Sequence, residues 1–384
     1  MSKLEELIQK YCPRGVSYVP ISSIGTIKRG NGLQKKDFAE SGVGCIHYGQ
    51  IYTRFNTFAY KPLTYVSEEL ASHLLHVKKG DLVIACTSEN VEDVCKAVAW
   101  LGDDDIVTGG HSCVLHHNQD PKFVAYFFQT EGFQQQKKKY AYGTKVIDIK
   151  PDNIGKILIP LPPLPVQKEI VRILDTFAEL QAELQAELQK RLQQYNYYRG
   201  NILSYEGRDD IEWKKLGEIC KAVKSGKCSH RADNGEYPVY GSTGIIAHSD
   251  NYEYSSDNLL IARVGANAGF VHIAKGKYDV TDNTLIVSLD EKKCLLKYIY
   301  YYLCVININQ YAKGGGQPLI TGSIIKDLTI PIPSISEQQN VITILDRFEI
   351  LTNDLSKGLP AEIKARQQQY NYYRDQLFSF KHAV

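Results

Sequence analysis

Two stretches of this chain carry apolar residues at coiled-coil spacing within otherwise polar sequence. Ile170, Ile173, Phe177, Leu180 and Leu184 follow at steps of 3, 4, 3 and 4, and Val341, Ile344, Phe348, Leu351 and Leu355 repeat those steps. This spacing predicts a heptad seam of roughly two heptads on one face of a helix in each stretch. The first seam continues through Leu188, Leu192 and Tyr195 at steps that relax the supercoil, and predicts a helix over 166–204. Upstream of each stretch the period changes. LVIAC (82–86), LLIARV (259–264), FVHIA (270–274) and TLIVSL (284–289) are strand-like, and short helices are predicted near 121–139 and 292–304. Ser2–Lys10 places Leu4, Leu7 and Ile8 on one side of a short amphipathic helix.

The two patterns are copies of each other. ILIPLPPLPVQKEIVRILDTF (157–177) matches LTIPIPSISEQQNVITILDRF (328–348) at an offset of 171, and QYNYYR occurs at both 194–199 and 369–374. Val16, Tyr18, Ile21 and Ile24 align with Ile211, Trp213, Leu216 and Ile219, and DLVIA (81–85) aligns with NLLIA (258–262). A repeat of this length is a domain, not a solenoid unit. The offset is 175 at Tyr195 and Tyr370, which places four extra residues around Lys357, Gly358, Leu359 and Pro360. A proline there predicts a break near Gly358 and a restart with Pro360 in the first helical position. Ser336 with Gln339 has the spacing of a capping box opening the second helix.

These signals set a first domain at 1–157, its helix at 158–206, a second domain at 207–328 and its helix at 329–384. A helix of ~39 residues is about 58 Å long, more than one domain can cover, so it needs a partner. The other helix is the nearest. The predicted fold class is α+β: two tandem-duplicated globular α/β domains, joined by two long antiparallel helices forming a coiled-coil spacer with pseudo-twofold symmetry. The competing arrangement packs each helix on its own domain.

Composition narrows the class. At 384 residues and 43% apolar, the chain can bury two cores. Nine cysteines without a CxxC pair, and no hydrophobic leader, point to a reducing cytoplasm. No run approaches the roughly 20 apolar residues of a membrane span. A net charge of +2 requires any polyanion contact to come from local clusters.

Several chemistries are excluded by what their motifs need. No NPPY or DPPF string appears, and SGKCS around Lys227 lacks the upstream glycine of a P-loop. Glu212, Trp213 and Lys214 form an ExK string, but the nearest ProAsp pair, Pro151 and Asp152, lies in the other copy. His111, His116, His117 and Cys113 fit no standard metal spacing. The sequence therefore predicts no catalytic residue, no metal and no cofactor.

The proline-rich helix openings, the QYNYYR repeat, CPRGVSYVPISSIGTI near the start and PVYGSTGIIAHSDNYEYSSDNLLIARVGANAGFV in the second copy together resemble the specificity subunit of type I restriction-modification systems. The resemblance spans nearly the whole chain. It implies two target recognition domains, each reading one part of a split sequence in double-stranded DNA. It implies helices that fix the gap and dock methyltransferase subunits, two of them, with restriction or translocase subunits as further partners. It also implies that this polypeptide catalyses nothing. A coiled-coil scaffold, or an orphan specificity-like protein without working partners, is the alternative.

Within that expectation, the candidate DNA contacts are polar and basic loop residues flanked by glycine. In the first copy these are Lys28, Arg29, Lys35, Lys36, Arg54, Thr87, Ser88 and Lys145. In the second they are Lys224, Lys227, Arg231, Arg263, Asn267, Lys313 and Gln317, with Arg263, Asn267 and Gln317 as base readers. Tyr197, Tyr198, Arg199, Tyr372, Tyr373 and Arg374, at the helix ends, are assigned to a subunit interface.

Overall fold

The structure is a computed structural model. It describes residues 2–228, 232, 234–314, 317–353 and 358–383, so Arg231, Leu355 and Lys357 lie outside the described residues. The chain divides into two units, residues 1–183 with 363–384, and residues 184–362.

Each unit is built on one sheet plan. Among the described residues, the larger sheet of the first unit runs Gly25–Arg29, Ser112–His117, Leu82–Ala85, Ala97–Trp100 and Phe58–Ala59. That of the second unit runs Cys220–Ser225, Thr284–Leu289, Asn258–Ala262 and Val271–Ala274. Strands Leu82–Ala85 and Asn258–Ala262 are buried throughout, as expected for continuous apolar runs covered on both faces. The registers match. Cys113 faces Arg29 and Ile84, while Leu285 faces Ser225 and Ile261. Arg29 therefore corresponds to Ser225, and Cys86 to Arg263.

The smaller sheets also correspond. Thr64–Val66, Val43–Ile46, Ile106–Thr108 and Leu75–Val77 form that of the first unit, and Gly244–Ser249, Tyr237–Gly241 and Asp279–Val280 that of the second. The copies diverge after Val43–Ile46 and its counterpart Tyr237–Gly241. The first unit inserts the helix Tyr48–Thr53 there, whereas the second turns tightly at Gly244, which holds φ +101°.

The proline-rich motifs are strands. Leu158–Pro160 pairs with Tyr18–Pro20, and Thr329–Ile332 with Glu212–Lys215. As two-stranded ribbons they tolerate proline, which cannot donate to an interior ladder. The helix predicted over 121–139 is two helices, Pro121–Phe127 and Glu131–Lys138. Thr130 interrupts it by accepting the Phe133 N–H at 3.2 Å. The helix predicted at 292–304 is Leu296–Val305.

The first long helix runs Leu164–Ile202, 39 residues. Its opening turns bury Val166, Ile170 and Leu174 completely in the core of the first unit, and Leu345 is equally buried in the second. This corrects the seam. Ile173, Phe177, Leu184 and Phe348 are half-buried, Val341 is buried, and Leu180, Ile344 and Leu351 are 50%, 42% and 40% exposed. Ile170 and Val341 sit on both stripes, so the heptad spacing could not tell a helix-facing seam from a domain-facing one.

Helix contacts helix through aromatic rings. Phe177 lies 5.6 Å from Tyr373 and 6.4 Å from Tyr370, and Gln181 donates to Gln367 at 3.0 Å, an antiparallel pairing within the first unit. Phe348 lies 5.8 Å from Tyr198 and 6.2 Å from Tyr195 in the second.

The second helix comes as two pieces, and Pro360 takes the second helical position, not the expected first. Ile335–Asn353 ends before Gly358, and Leu359–Leu377 restarts one residue ahead of Pro360, still in the first turn where a missing N–H costs nothing. Its cap is Ser334, whose hydroxyl accepts from Glu337 N at 3.2 Å, not Ser336. Cys86 and Cys113 are joined by a disulfide. Their separation of 27 in sequence hid a pairing that the sheet register creates. No helix among the described residues is long and apolar enough to cross a membrane.

Candidate nucleic-acid interface

In the first unit, a cleft of about 1210 Å³ opens between the inserted helix Tyr48–Thr53 and the loop after strand Leu82–Ala85. Lys35, Arg54, Thr87 and Ser88 line it, which brings four of the sequence candidates together. The helix is capped by His47, whose Nδ1 accepts from Gly49 N at 3.2 Å, while Gln50 Oε1 accepts from His47 N at 3.0 Å. Burial, with Lys35 and His111 nearby, pushes the His47 pKa below the usual histidine value.

Thr87 is buried and committed. Its hydroxyl is 3.0 Å from His111 Nδ1, and its carbonyl accepts from the Tyr52 hydroxyl at 2.7 Å. Thr87 therefore shapes the cleft wall. The acidic loop closes on itself, with Asp93 N donating to Asn90 Oδ1 at 2.7 Å and Asn90 Nδ2 to Asp93 Oδ2 at 2.8 Å. His47, Gln50, Thr53, Asn90 and His111 line the cleft but were not chosen from sequence. Only the fold gathers them, since they come from three separate segments. Lys28, Lys36 and Lys145 are exposed, and Lys145 adjoins Val146 at the cleft wall.

Arg29 has a different part. It forms a two-pronged pair with Asp148 at 3.0 and 2.6 Å, and its Nε donates to Gly110 O at 3.0 Å. The hydrogen bonds that Arg29 donates to Asp148 raise its pKa, and the carboxylate neutralises its charge locally.

The second unit puts an arginine at the matching sheet end from the other strand. Arg263 donates to Ser225 Oγ at 3.1 Å and to Asp282 O at 3.3 Å, so among the described residues it meets neutral oxygens, and none of them partners its buried Nε. The hairpin through Lys313 and Leu319 docks beside it, with Gly265 N donating to Pro318 O at 3.1 Å and Ile320 N to Arg263 O at 2.8 Å. Exposed Lys313 and Gln317 thereby join Arg263, and exposed Lys224 and Lys227 flank Ser225. Gly226, like Gly30 in the first unit, admits no side chain, because a Cβ would lie 2.3 Å from the Thr281 and Val280 carbonyls. Asn267 instead borders a pocket of about 610 Å³ with Arg199, Tyr300 and Asn309.

At the helix ends, Tyr198 and Tyr373 stack within their own units, while Tyr197 and Tyr372 are 66% and 61% exposed. Arg199 and Arg374 lie over the rings of Tyr195 and Tyr370, at 5.0 and 5.7 Å.

Comparison with known proteins gives one answer. A family model described as the type I restriction modification DNA specificity domain matches residues 13–194 and 208–365. The chain is 35% identical over 292 residues to the type I restriction enzyme EcoR124I/EcoR124II specificity subunit of Escherichia coli, covering 67% of this chain and 70% of that protein. It is 33% identical over 258 residues to the EcoprrI specificity subunit of the same species, covering 62% and 63%. In fold it resembles the S subunit of a type I restriction-modification system from M. genitalium, with a TM-score of 0.55 and 15% identity over 95% of this chain and 96% of that one. A chain solved in work on complex assembly and conformational transition of the type I R-M system aligns with a TM-score of 0.70 and 16% identity, covering 95% and 98%. With two copies of one sheet plan, each opened by the same proline ribbon and closed by the same tyrosine-rich helix end, this chain belongs to the type I restriction-modification DNA specificity subunit family.

Proposed function

We propose that the chain reads a bipartite, asymmetric target in double-stranded DNA, one unit per half-site, and directs methyltransferase subunits to it in the cytoplasm without catalysing a reaction itself. The observation that carries this reading is the pair of matched sheet ends with unmatched chemistry. At one topological point the first unit offers a cleft with Lys35, Arg54, Gln50 and Asn90, and an arginine already held by Asp148. The second offers Arg263, which has no carboxylate partner among the described residues, beside Lys313 and Gln317. Two readers of unequal half-sites need a shared frame and different side chains, because arginine favours guanine and asparagine or glutamine favours adenine.

Docking of two methyltransferase subunits is supported by the repeat of the exposed tyrosine, Tyr197 and Tyr372, beside equivalent aromatic stacks. The helices then set the number of unread base pairs. The near-neutral charge of the chain implies that its partners supply much of the phosphate neutralisation.

The test is the methylome of a methylation-free host expressing this chain with the methyltransferase encoded beside it. The expected result is a split motif of methylated adenine that appears only when this chain is present. A purified complex of the two proteins that methylates nothing would favour a scaffold instead.

A further inference from the structure

The loop after the central strand is fastened in the same way in both units. Ala85 exchanges backbone hydrogen bonds with Lys96 and Cys95, at 2.9 and 2.8 Å, and Ala262 does so with Phe270 and Gly269, at 2.8 Å each. Cys95 therefore corresponds to Gly269, and both hold a positive φ, +66° and +91°. That left-handed turn follows Val94 in one unit and Ala268 in the other. Each of these carbonyls accepts a side-chain donor from the helical segment beyond: Lys137 Nζ reaches Val94 O at 2.9 Å, and Asn309 Nδ2 reaches Ala268 O at 2.7 Å.

Lys137 is fully buried and also donates to Glu92 O at 2.7 Å. A buried ammonium is costly, and two carbonyl dipoles on one loop are what it is given in return. Asn309 acts with its own backbone, which crowds Gly269 so closely that a Cβ there would lie 2.6 Å from Asn309 N. The loops so held are 86–94, which carries Ser88, Glu89, Asn90 and Asp93 of the cleft, and 263–268, which carries Arg263 and Asn267.

We propose that Lys137 and Asn309 are positioning residues for sequence reading, each fixing the posture of one loop through the carbonyl before its left-handed turn. This rests on the reading of the two units as DNA readers. The two anchors differ in chemistry and reach while serving the same carbonyl, so each unit can carry its own loop length: nine residues between Ala85 and Cys95, six between Ala262 and Gly269.

The test uses the full chain with Lys137→Met and Asn309→Leu, which keep bulk and remove the donor, and Lys137→Arg, which keeps a donor. Hydrogen exchange should quicken about tenfold or more at loop 88–95 in the first variant only and at 265–269 in the second only, with amides of Leu82–Ala85 and Asn258–Ala262 still protected. Coexpressed with the methyltransferase, each variant should relax base preference in one half of the motif and leave the other half intact, and Lys137→Arg should restore it. A purely structural defect would lower methylation at every site without changing preference. Unchanged loop exchange overturns the anchoring whatever happens on DNA. Loosened loops with both half-sites still read strictly overturn the positioning role. A wild-type chain that directs no motif, with loops that do loosen, overturns the DNA reading and leaves the anchoring standing. If Lys137→Met fails to fold, the exposed Asn309 carries both measurements.

Discussion

Gln338 accepts the backbone N–H of Leu295 at 2.8 Å while its own amide donates to Pro333 O at 2.9 Å, so one buried side chain ties the start of the second long helix to the domain before it. Gln167 repeats the arrangement with Asp120 N at 3.1 Å and Pro162 O at 2.7 Å. Both glutamines are fully buried. Replacing either with leucine strands a backbone donor and acceptor, and should cost about 2 kcal/mol. Urea denaturation of Gln167→Leu and Gln338→Leu measures it, and a loss below a few tenths of a kcal/mol would show that neither bond matters.

The two arginines at matched sheet ends should behave differently. Arg263→Ala is expected to relax one base position in one half-site by about 1–3 kcal/mol of discrimination, with little change in thermal stability. Arg29→Ala should leave the motif strict and lose up to about 1 kcal/mol of stability, the ordinary range for a partly exposed ion pair. Motif analysis and thermal melting on the same variants separate the two, and the reverse pattern would exchange their roles.

The neighbouring tyrosines of each helix end should also part company. Tyr198 stacks on Phe348, so Tyr198→Ala should destabilise the chain by about 1–2 kcal/mol. Tyr197 is exposed, so Tyr197→Ala should melt like wild type yet capture less methyltransferase in co-purification, with Tyr197→Ala/Tyr372→Ala weaker than either single variant. Undiminished capture by the double variant would remove these residues from the docking surface.

Acid sensitivity should come in part from His117. Burial pushes its pKa down to about 4, while its Nδ1 accepts from Gln119 N at 3.1 Å. The unfolded chain takes up this proton near the ordinary histidine value and the folded chain resists it. The stability is therefore full above about pH 6.5 and falls as pH drops toward 4, by on the order of 2 kcal/mol after allowing for partial exposure. Denaturation midpoints at several pH values for wild type and His117→Asn would check this, since the variant should lose part of the slope.

How much of this was legible in the sequence depends on how local each signal is. Strand TLIVSL appears at residues 284–289 as predicted, because apolar runs and β-branched residues act on their neighbours. The heptad seam was misplaced at Leu180, Ile344 and Leu351, because an apolar stripe does not say which body covers it. The cap moved from Ser336 to Ser334 for a similar reason, as two serines two residues apart offer the same hydroxyl and only the path of the preceding strand selects one. Lys137 is one of three consecutive lysines, with nothing in the sequence to mark it as buried.

By itself, the sequence determined the duplication, the order of strand, proline-rich motif and long helix, and the family, since all of these are written in residues near one another or repeated verbatim. Only the tertiary structure decided which arginine is held and which is open, which carbonyls anchor the loops, and which residues line the cleft. Those depend on register between strands far apart in the chain, where shifting a pairing by one residue sends every side chain to the opposite face.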